Sequence, residues 1–593
     1  MKKARKLTAV LLSLVMLLAL VVPASAADTY SITIHNDKTG HTYEAYQIFA
    51  GTVSSDEETN GETGGPMLGD ITWGSGVDGA ALLAALKAAD EEKYGACTTA
   101  ADVAEALGTE TATAADAAAF ADIAAQHLTA TVAGTATAPN DGGNYIIEGL
   151  PAGYYLVKDS LQEDDNQTGQ VLSDYIVQVL GNVTMEPKDS GIPTLEKKVA
   201  EEGKGNEGKY NQDGGYGTYY NDVADWNIGD SVPFKLIASM PDAAEIAAYD
   251  TYSYTFHDTL DPGLTLEQKA GEDQTTFAIY FVNTKNEDPR AEGFQYLDAA
   301  KYDVNIDAET NSFTIAIDDL KTLMVTTAGG QQIPATNYDY IVIFYDAVLN
   351  ANAEIGLPGN ENTAYLEFSN NPNGDGTGRT EDDKVIVFTY ELDGTKVDGE
   401  TQAALQNAQF VLLNGAKSEA AMVENGKVTG WAKVATEAAA GDVQMPGTYE
   451  EWVERYGDQN VILTSAADGI FKIAGLDDGT YYLREIQAPN GYNLLENDVE
   501  LVITADTANG QDWNSGIATD ALTGLTITVD NGAAQNGDLD TGIVNVTVEN
   551  NQGATLPETG GMGTTLFYII GGLLVVGAGI LLVVRIRMKA HNE

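Results

Sequence analysis

The sequence predicts a mainly β protein, with three antiparallel β-sandwich modules in tandem and an Ala-rich helical insert in the first. Short runs of alternating apolar and polar residues, such as Ser31-Ile32-Thr33-Ile34, Tyr252-Ser253-Tyr254-Thr255-Phe256 and Val544-Asn545-Val546-Thr547-Val548, are separated by Gly, Asn and Asp turns. Antiparallel sandwiches fit that pattern best. Gly149-Leu150-Pro151-Ala152-Gly153-Tyr154-Tyr155-Leu156-Val157-Lys158-Asp159 aligns without gaps on Gly475-Leu476-Asp477-Asp478-Gly479-Thr480-Tyr481-Tyr482-Leu483-Arg484-Glu485. The first and third modules are therefore expected to share a fold, with Asp159 and Glu485 at the same strand position. The exception to the β pattern is Asp78 to Leu128, where runs such as Ala80-Ala81-Leu82-Leu83-Ala84-Ala85-Leu86 predict two or three helices.

In chain order, Met1 to Lys6 carries four basic side chains, and the apolar run Leu7 to Val22 closes on Ala24-Ser25-Ala26. This is the pattern of a secretory signal peptide over 1–26, with cleavage expected after Ala26. The stretch that follows exceeds what one core organises, which predicts about three domains. Boundaries are expected near Pro187 to Pro193 and in the Asn-, Gly- and Asp-rich segment Asn370 to Asp383, giving modules at 27–187, 188–380 and 381–555. Asn371 to Gly376 loosely resembles the start of a calcium loop, but the following carboxylates do not complete its ligand set, so a linker is the expectation there.

Near the C-terminus, Leu556-Pro557-Glu558-Thr559-Gly560 precedes an apolar run from Thr565 to Val584. About 20 such residues span roughly 30 Å as a helix, enough to cross a bilayer. Arg585, Arg587 and Lys589 follow and predict a cytoplasmic tail over 585–593. The modules are thus expected outside the cell.

The 88 acidic against 31 basic residues give a net charge of −57, which argues against nucleic acid or anionic lipid as a partner. Cys97 is the one cysteine, so no intrachain disulfide can staple the chain. The histidines His35, His41, His127, His257 and His591 show no metal spacing, and no nucleophile with its own base, phosphate loop or carboxylate pair stands out. The expectation is a non-enzyme without cofactor or metal.

The order of pattern, span and charge at 556–593 resembles the cell-wall sorting signal read by sortases. The resemblance implies cleavage between Thr559 and Gly560, with the chain as substrate. Met185-Glu186-Pro187-Lys188-Asp189 resembles the pilin motif of sortase-assembled backbone pilins, usually Tyr-Pro-Lys-Asn, although Glu186 and Asp189 replace the outer residues. It implies that Lys188 is the intersubunit linking residue. The resemblance to Gram-positive backbone pilins covers almost the whole chain. Pro193 to Val199 opens the middle module as that family does, and Ala364 to Pro372 closes it. It implies immunoglobulin-like (Cna-type) sandwiches carrying intramolecular isopeptide bonds.

On alternating strands Lys197 shares a face with Leu195 and Val199, Asn370 with Leu366 and Phe368, and Asp258 with Tyr254, Phe256 and Leu260. Lys197, Asn370 and Asp258 are thus the expected bond-forming trio of the middle module. The third module resembles a collagen-adhesin B-type (CnaB, SpaA-like) domain, and its expected trio is Lys396, Asn550 and Glu485. The first module's opening strand, Thr29 to Asn36, has no lysine, and Lys38 lies beyond its apolar face, so no bond is expected there.

The functional expectation is the major subunit of a covalently polymerised pilus supporting adhesion, anchored to the Gram-positive cell wall. Its expected partners are a class C-type pilin sortase, the housekeeping sortase, further copies of itself, minor pilins, peptidoglycan and host surface ligands. The competing expectation is a singly anchored adhesin or a minor, tip pilin.

Overall fold

The computed structural model describes residues 29–36, 38–54, 67–108, 114–140, 142–161, 175–185, 192–200, 220–247, 249–269, 276–285, 289, 295–327, 329–372, 376–434, 445–507, 513, 516–553 and 563–589. The signal peptide, Lys188 with its neighbours Glu186, Pro187 and Asp189, and Leu556 to Gly560 lie outside these residues.

In the first module a three-stranded sheet sets Tyr30–His35 between Asn144–Leu150, antiparallel, and Val183–Met185, parallel. A five-stranded sheet is built on His41–Ser54 and Gly153–Leu161. Ile32, Ile34, Tyr145, Ile147, Tyr155 and Val157 are the alternate, inward residues of these strands, and they fill the core between the sheets. The insert holds four helices among the described residues, Gly79–Ala89, Glu91–Tyr94, Ala100–Leu107 and Ala114–Ala125, one more than the composition suggested. Asp78, Asp90 and Thr99 cap the first three. Leu82, Leu86, Val103 and Phe120 pack a separate core under them that includes the buried Cys97 thiol.

Two sheets face each other in the middle module. One sets Leu195–Ala200 beside Ser231–Ser239 and Tyr340–Leu349, and the other carries Asp383–Phe388, Asn360–Ser369, Tyr254–Leu260 and Ser312–Ile317 in that order. The boundary expected at 380 moves, because Asp383–Phe388 pairs with Asn360–Ser369, putting Val387 opposite Asn360. Asn370 to Asp383 is accordingly not an interdomain linker. It contains the strand Thr377–Arg379, which folds back on the middle sheet.

The third module is one eleven-stranded sheet in which Tyr390–Asp398 lies antiparallel to Ile470–Leu476 and parallel to the last strand, Ile543–Asn550. It is joined to the middle module by a continuous hydrophobic core. Asn227 Oδ1 accepts from Asp477 N at 3.1 Å and from the Tyr481 hydroxyl at 3.0 Å. Gly475 (φ +95°) lies so close to Ile228 that a Cβ would come within 2.6 Å of its side chain, so the interface requires a glycine there. Beyond the modules, Gly563–Lys589 is a single helix whose Leu566–Lys589 stretch has a mean hydropathy of 2.6, long and apolar enough to cross a membrane.

Candidate functional site

Two buried sets of side chains have the composition of a self-linking site, one in each of the last two modules. In the third module Lys396 and Asn550 come from parallel neighbouring strands. Register pairs Lys396 with Val548 and Asp398 with Asn550, so the lysine and asparagine are diagonal neighbours on the inner face. Glu485 reaches them from Gly479–Gln487. Lys396 Nζ donates to Asn550 Oδ1 in close contact and to the Val548 carbonyl at 3.2 Å, and it stands 3.6 Å from Glu485 Oε1. Asn550 Nδ2 donates to Glu485 Oε2 at 3.0 Å and to the Asn493 carbonyl at 2.7 Å. All three side chains are buried. Burial pushes the Lys396 ammonium down to about 8, against the opposing pull of the Glu485 charge. The sequence-predicted trio of this module is therefore together.

The middle module brings together only part of its expected trio. Lys197, on one sheet, reaches across the sandwich to Asp258 on the other, and its Nζ donates to Asp258 Oδ2 in close contact. The Tyr345 hydroxyl accepts from Lys197 Nζ at 2.7 Å and donates to Asp258 Oδ2 at 2.7 Å. Phe234 and Tyr345 set their rings 5.6 and 5.3 Å from the lysine nitrogen. Burial lowers the Lys197 pKa and raises that of Asp258, the combination that favours a neutral amine beside a protonated acid.

Asn370 is not there. Asp258 lies opposite Ala364 and Tyr254 opposite Phe368, which puts Asn370 beyond the far end of the pairing, about 20 Å along the strand at ~3.3 Å per residue. Its backbone N–H instead bonds the Gly376 carbonyl at 3.2 Å. The asparagine that shares the Tyr345 hydroxyl with Lys197 is Asn362, opposite Leu260 and fully buried. Asn362 Nδ2 donates to the Tyr345 hydroxyl at 2.9 Å, while its Oδ1 and Asp258 Oδ1 are buried without a hydrogen-bond partner. Strand alternation puts Asn362 and Asn370 on the same face, so the sequence signal was compatible with both and register chose between them.

The first module shows what replaces such a set. Ile32 pairs with Ile147 and Val183, as Leu392 pairs with Ile473 and Val544. Asn36 N bonds the Gly143 carbonyl at 2.8 Å, as Lys396 N bonds that of Gly469 at 2.8 Å. Asn36 thus occupies the position of Lys396. Asp159, in the place of Glu485, is buried against His41, whose Nδ1 lies 2.9 Å from Oδ1 and 3.0 Å from Oδ2. Asn36 Nδ2 donates to the Tyr43 hydroxyl at 2.9 Å. An amide and an imidazole fill the lysine's role, and neither is an alkylamine nucleophile.

Residues 391–515 match the SpaA prealbumin-like fold domain, and residues 548–590 match the LPXTG cell wall anchor motif. The trypsin-resistant surface T6 protein of Streptococcus pyogenes serotype M6 is 28% identical over 283 residues, 41% of this chain and 48% of that protein. The chain thus spans about half the length of this curated relative. Similar solved structures include the T6 backbone pilin of serotype M6 Streptococcus pyogenes (15% identity, 90% of this chain and 100% of that one, TM-score 0.46). The full-length major pilin SpaD from Corynebacterium diphtheriae is another (17%, 89% and 98%, TM-score 0.43). A third is the pilus 2b backbone protein of group B streptococcus (25%, 56% and 97%, TM-score 0.34). The anchor motif and the apolar helix after it make the chain a cell wall-anchored surface protein.

Proposed function

We propose that this protein is the backbone subunit of a sortase-assembled pilus, a structural substrate that catalyses only its own cross-linking. The observation that carries the reading is the pair of buried Lys–Asn–acid sets in consecutive modules ahead of the wall anchor. In each set the neutral lysine amine attacks the asparagine carboxamide carbon. The acid, Asp258 or Glu485, protonates the carboxamide oxygen and relays a proton from the attacking nitrogen to the departing one. One C–N bond forms, one breaks, and ammonia leaves. The asparagine in the middle module is Asn362, held by Tyr345 beside the amine.

Sortase cleaves between Thr559 and Gly560 of Leu556-Pro557-Glu558-Thr559-Gly560, and the acyl-enzyme is resolved by Lys188 of another copy. A pilin sortase performs the polymerisation, and the housekeeping sortase transfers the last subunit to peptidoglycan. The trypsin resistance in the name of the T6 relative is the property that covalent ties between strands confer.

The second reading, a singly anchored adhesin or tip subunit, is favoured by Glu186 and Asp189 where the pilin motif has Tyr and Asn. A strain carrying Lys188→Ala tests the two. Loss of the covalent ladder on a denaturing gel supports the backbone pilin. A ladder that persists refutes Lys188 as the link, and a single anchored species in the unmodified strain supports the adhesin.

A further inference from the structure

The last strand of the third module, Ile543–Asn550, does not release the chain where it ends. The three residues that follow are held as well. Asn493 N bonds the Asn551 carbonyl at 3.0 Å, Gly553 N bonds the Gly491 carbonyl at 3.1 Å, and Tyr492 lies opposite Gln552 between them. The Tyr492 hydroxyl donates to Asp398 Oδ2 at 2.7 Å, and Gln552 Nε2 donates to the same oxygen at 3.4 Å. Asp398 is fixed in turn, because its Oδ1 accepts from the backbone N–H groups of Glu400 and Thr401 at 2.9 and 2.7 Å. Gly399 closes the other side, where a Cβ would come within 2.5 Å of Asn551 Oδ1. The anchored part of the chain therefore ends at Gly553.

Leu556, the first residue of the sorting signal, comes 556 − 553 = 3 positions later, and the apolar helix opens at Gly563, 563 − 553 = 10 positions later. At ~3.5 Å per residue, Leu556 lies within about 10 Å of Gly553, and module and helix are at most about 35 Å apart. A small enzyme domain is about 30 Å across. A sortase that grips Leu556 to Thr559 thus fills the space between module and membrane and meets the end of the module. That end presents Leu494, 48% exposed, next to the clamp residue Asn493, with the exposed side chains of Glu400 and Glu549 near it. An apolar side chain with an acidic rim fits an apolar patch edged by basic residues.

We propose that this end of the third module is a second recognition surface for the sortase, with Leu494 as its apolar contact and Tyr492 as a positioning residue. The inference rests on the sortase-substrate reading and adds that the enzyme reads a folded module together with the five residues it cuts. Tyr492 acts through Gln552 and Asp398, which set the direction in which the chain leaves the sheet. Because three residues beyond the strand are ordered before the enzyme arrives, less freedom is lost on binding than with a free peptide.

The test uses the full-length chain, produced without sortase and extracted in detergent, with purified sortase from the same cell. Hydroxylamine serves as the acceptor, so that cleavage does not depend on Lys188 or on a second copy. A synthetic peptide covering residues 554–562 is the reference substrate. The expected result is a KM for the chain lower than that of the peptide by roughly tenfold or more. Leu494→Glu and Tyr492→Phe should each raise KM severalfold and leave kcat unchanged. Six Gly and Ser residues inserted between Ala554 and Thr555 should bring KM up to the peptide's value, because the enzyme then no longer has to touch the module. Equal KM values for peptide, chain and variants would overturn the proposal while leaving the sortase-substrate reading intact. A lower KM for the chain with the insertion would also overturn it, since the module end would then obstruct the enzyme. Failure of both peptide and chain to be cut would instead refute the sortase-substrate reading, and this inference with it.

Discussion

Replacing Asn362 by Ala should remove the covalent tie of the middle module, whereas replacing Asn370 should leave it intact. The two positions share a strand and a face, and only the register opposite Tyr254–Leu260 separates them. A bond from Lys197 to Asn362 closes 362 − 197 = 165 positions of chain. The loop-entropy treatment of cross-links puts the stabilisation from a closure of that length at about 5 kcal/mol. For a module of this size each kcal/mol lowers Tm by about 2–4 °C, which predicts a fall of roughly 10–20 °C. Intact mass supplies the independent readout, because relative to its own sequence mass Asn362→Ala should show one ammonia loss fewer than the unmodified chain. If Asn370→Ala abolishes the mass loss, or Asn362→Ala preserves it, the register argument is refuted.

In the third module, Glu485→Gln keeps the volume but removes the acid, and peptide mapping should then find Lys396 and Asn550 unlinked; an unchanged yield of linked peptide would exclude Glu485 from the chemistry. Asn550→Ala strands an unlinked Lys396 whose folded pKa, about 8, lies below its unfolded value. The unfolded state then binds more protons between the two values, so stability should rise from about pH 8 to pH 10.5, by at most about 3 kcal/mol. The check is denaturant melts compared with Asn550→Ala combined with Lys396→Met, which should lack that rise; parallel profiles would argue against a perturbed lysine. In the first module, His41→Ala removes the ring hydrogen-bonded to the buried Asp159 carboxylate, at a cost of roughly 1–3 kcal/mol. Limited proteolysis should then cut the first module before the other two, and unchanged resistance would show that the pair contributes little.

Much of this arrangement is written in local pattern. The gapless match of 149–159 with 475–485 located Asp159 and Glu485, and strand alternation put Lys197, Asp258, Lys396 and Asn550 inside. What alternation cannot supply is position along a strand. Asn360, Asn362 and Asn370 all have the same parity, and the pairing with Tyr254–Leu260 that distinguishes them is a tertiary fact. The middle boundary failed for a related reason. Asn370 to Asp383 is as polar as a linker, yet it turns back to pair within the sheet, because the apolar Val385 to Phe388 that follow complete the middle core. The first module's substitution of Asn36 for a lysine becomes visible only when the partners of Tyr30–His35 are compared with those of Tyr390–Asp398.

The placement of the two Lys–Asn sets defines a path for tension. In a fibre joined through Lys188 and Thr559, force enters ahead of Lys197 and leaves after Asn550. With both bonds closed, the chain between 197 and 362 and the chain between 396 and 550 are bypassed, and a pull cannot lengthen them. The load-bearing stretch that remains between the bonds runs from Asn362 to Lys396, or 396 − 362 = 34 positions. Part of it is held inside a sheet, since it contains Asp383–Phe388, flanked by Asn360–Ser369 and Val223–Asp225, and leads directly into Tyr390–Asp398. Even if it were stripped from its neighbours, it could add no more than about 120 Å at ~3.5 Å per residue. The tight packing of Ile228 on Gly475 and the Asn227 hydrogen bonds hold the two modules together alongside that stretch, where neither bond reaches. Close docking of the two modules and covalent closure within each are therefore complementary, because each restrains the part of the chain that the other leaves under load.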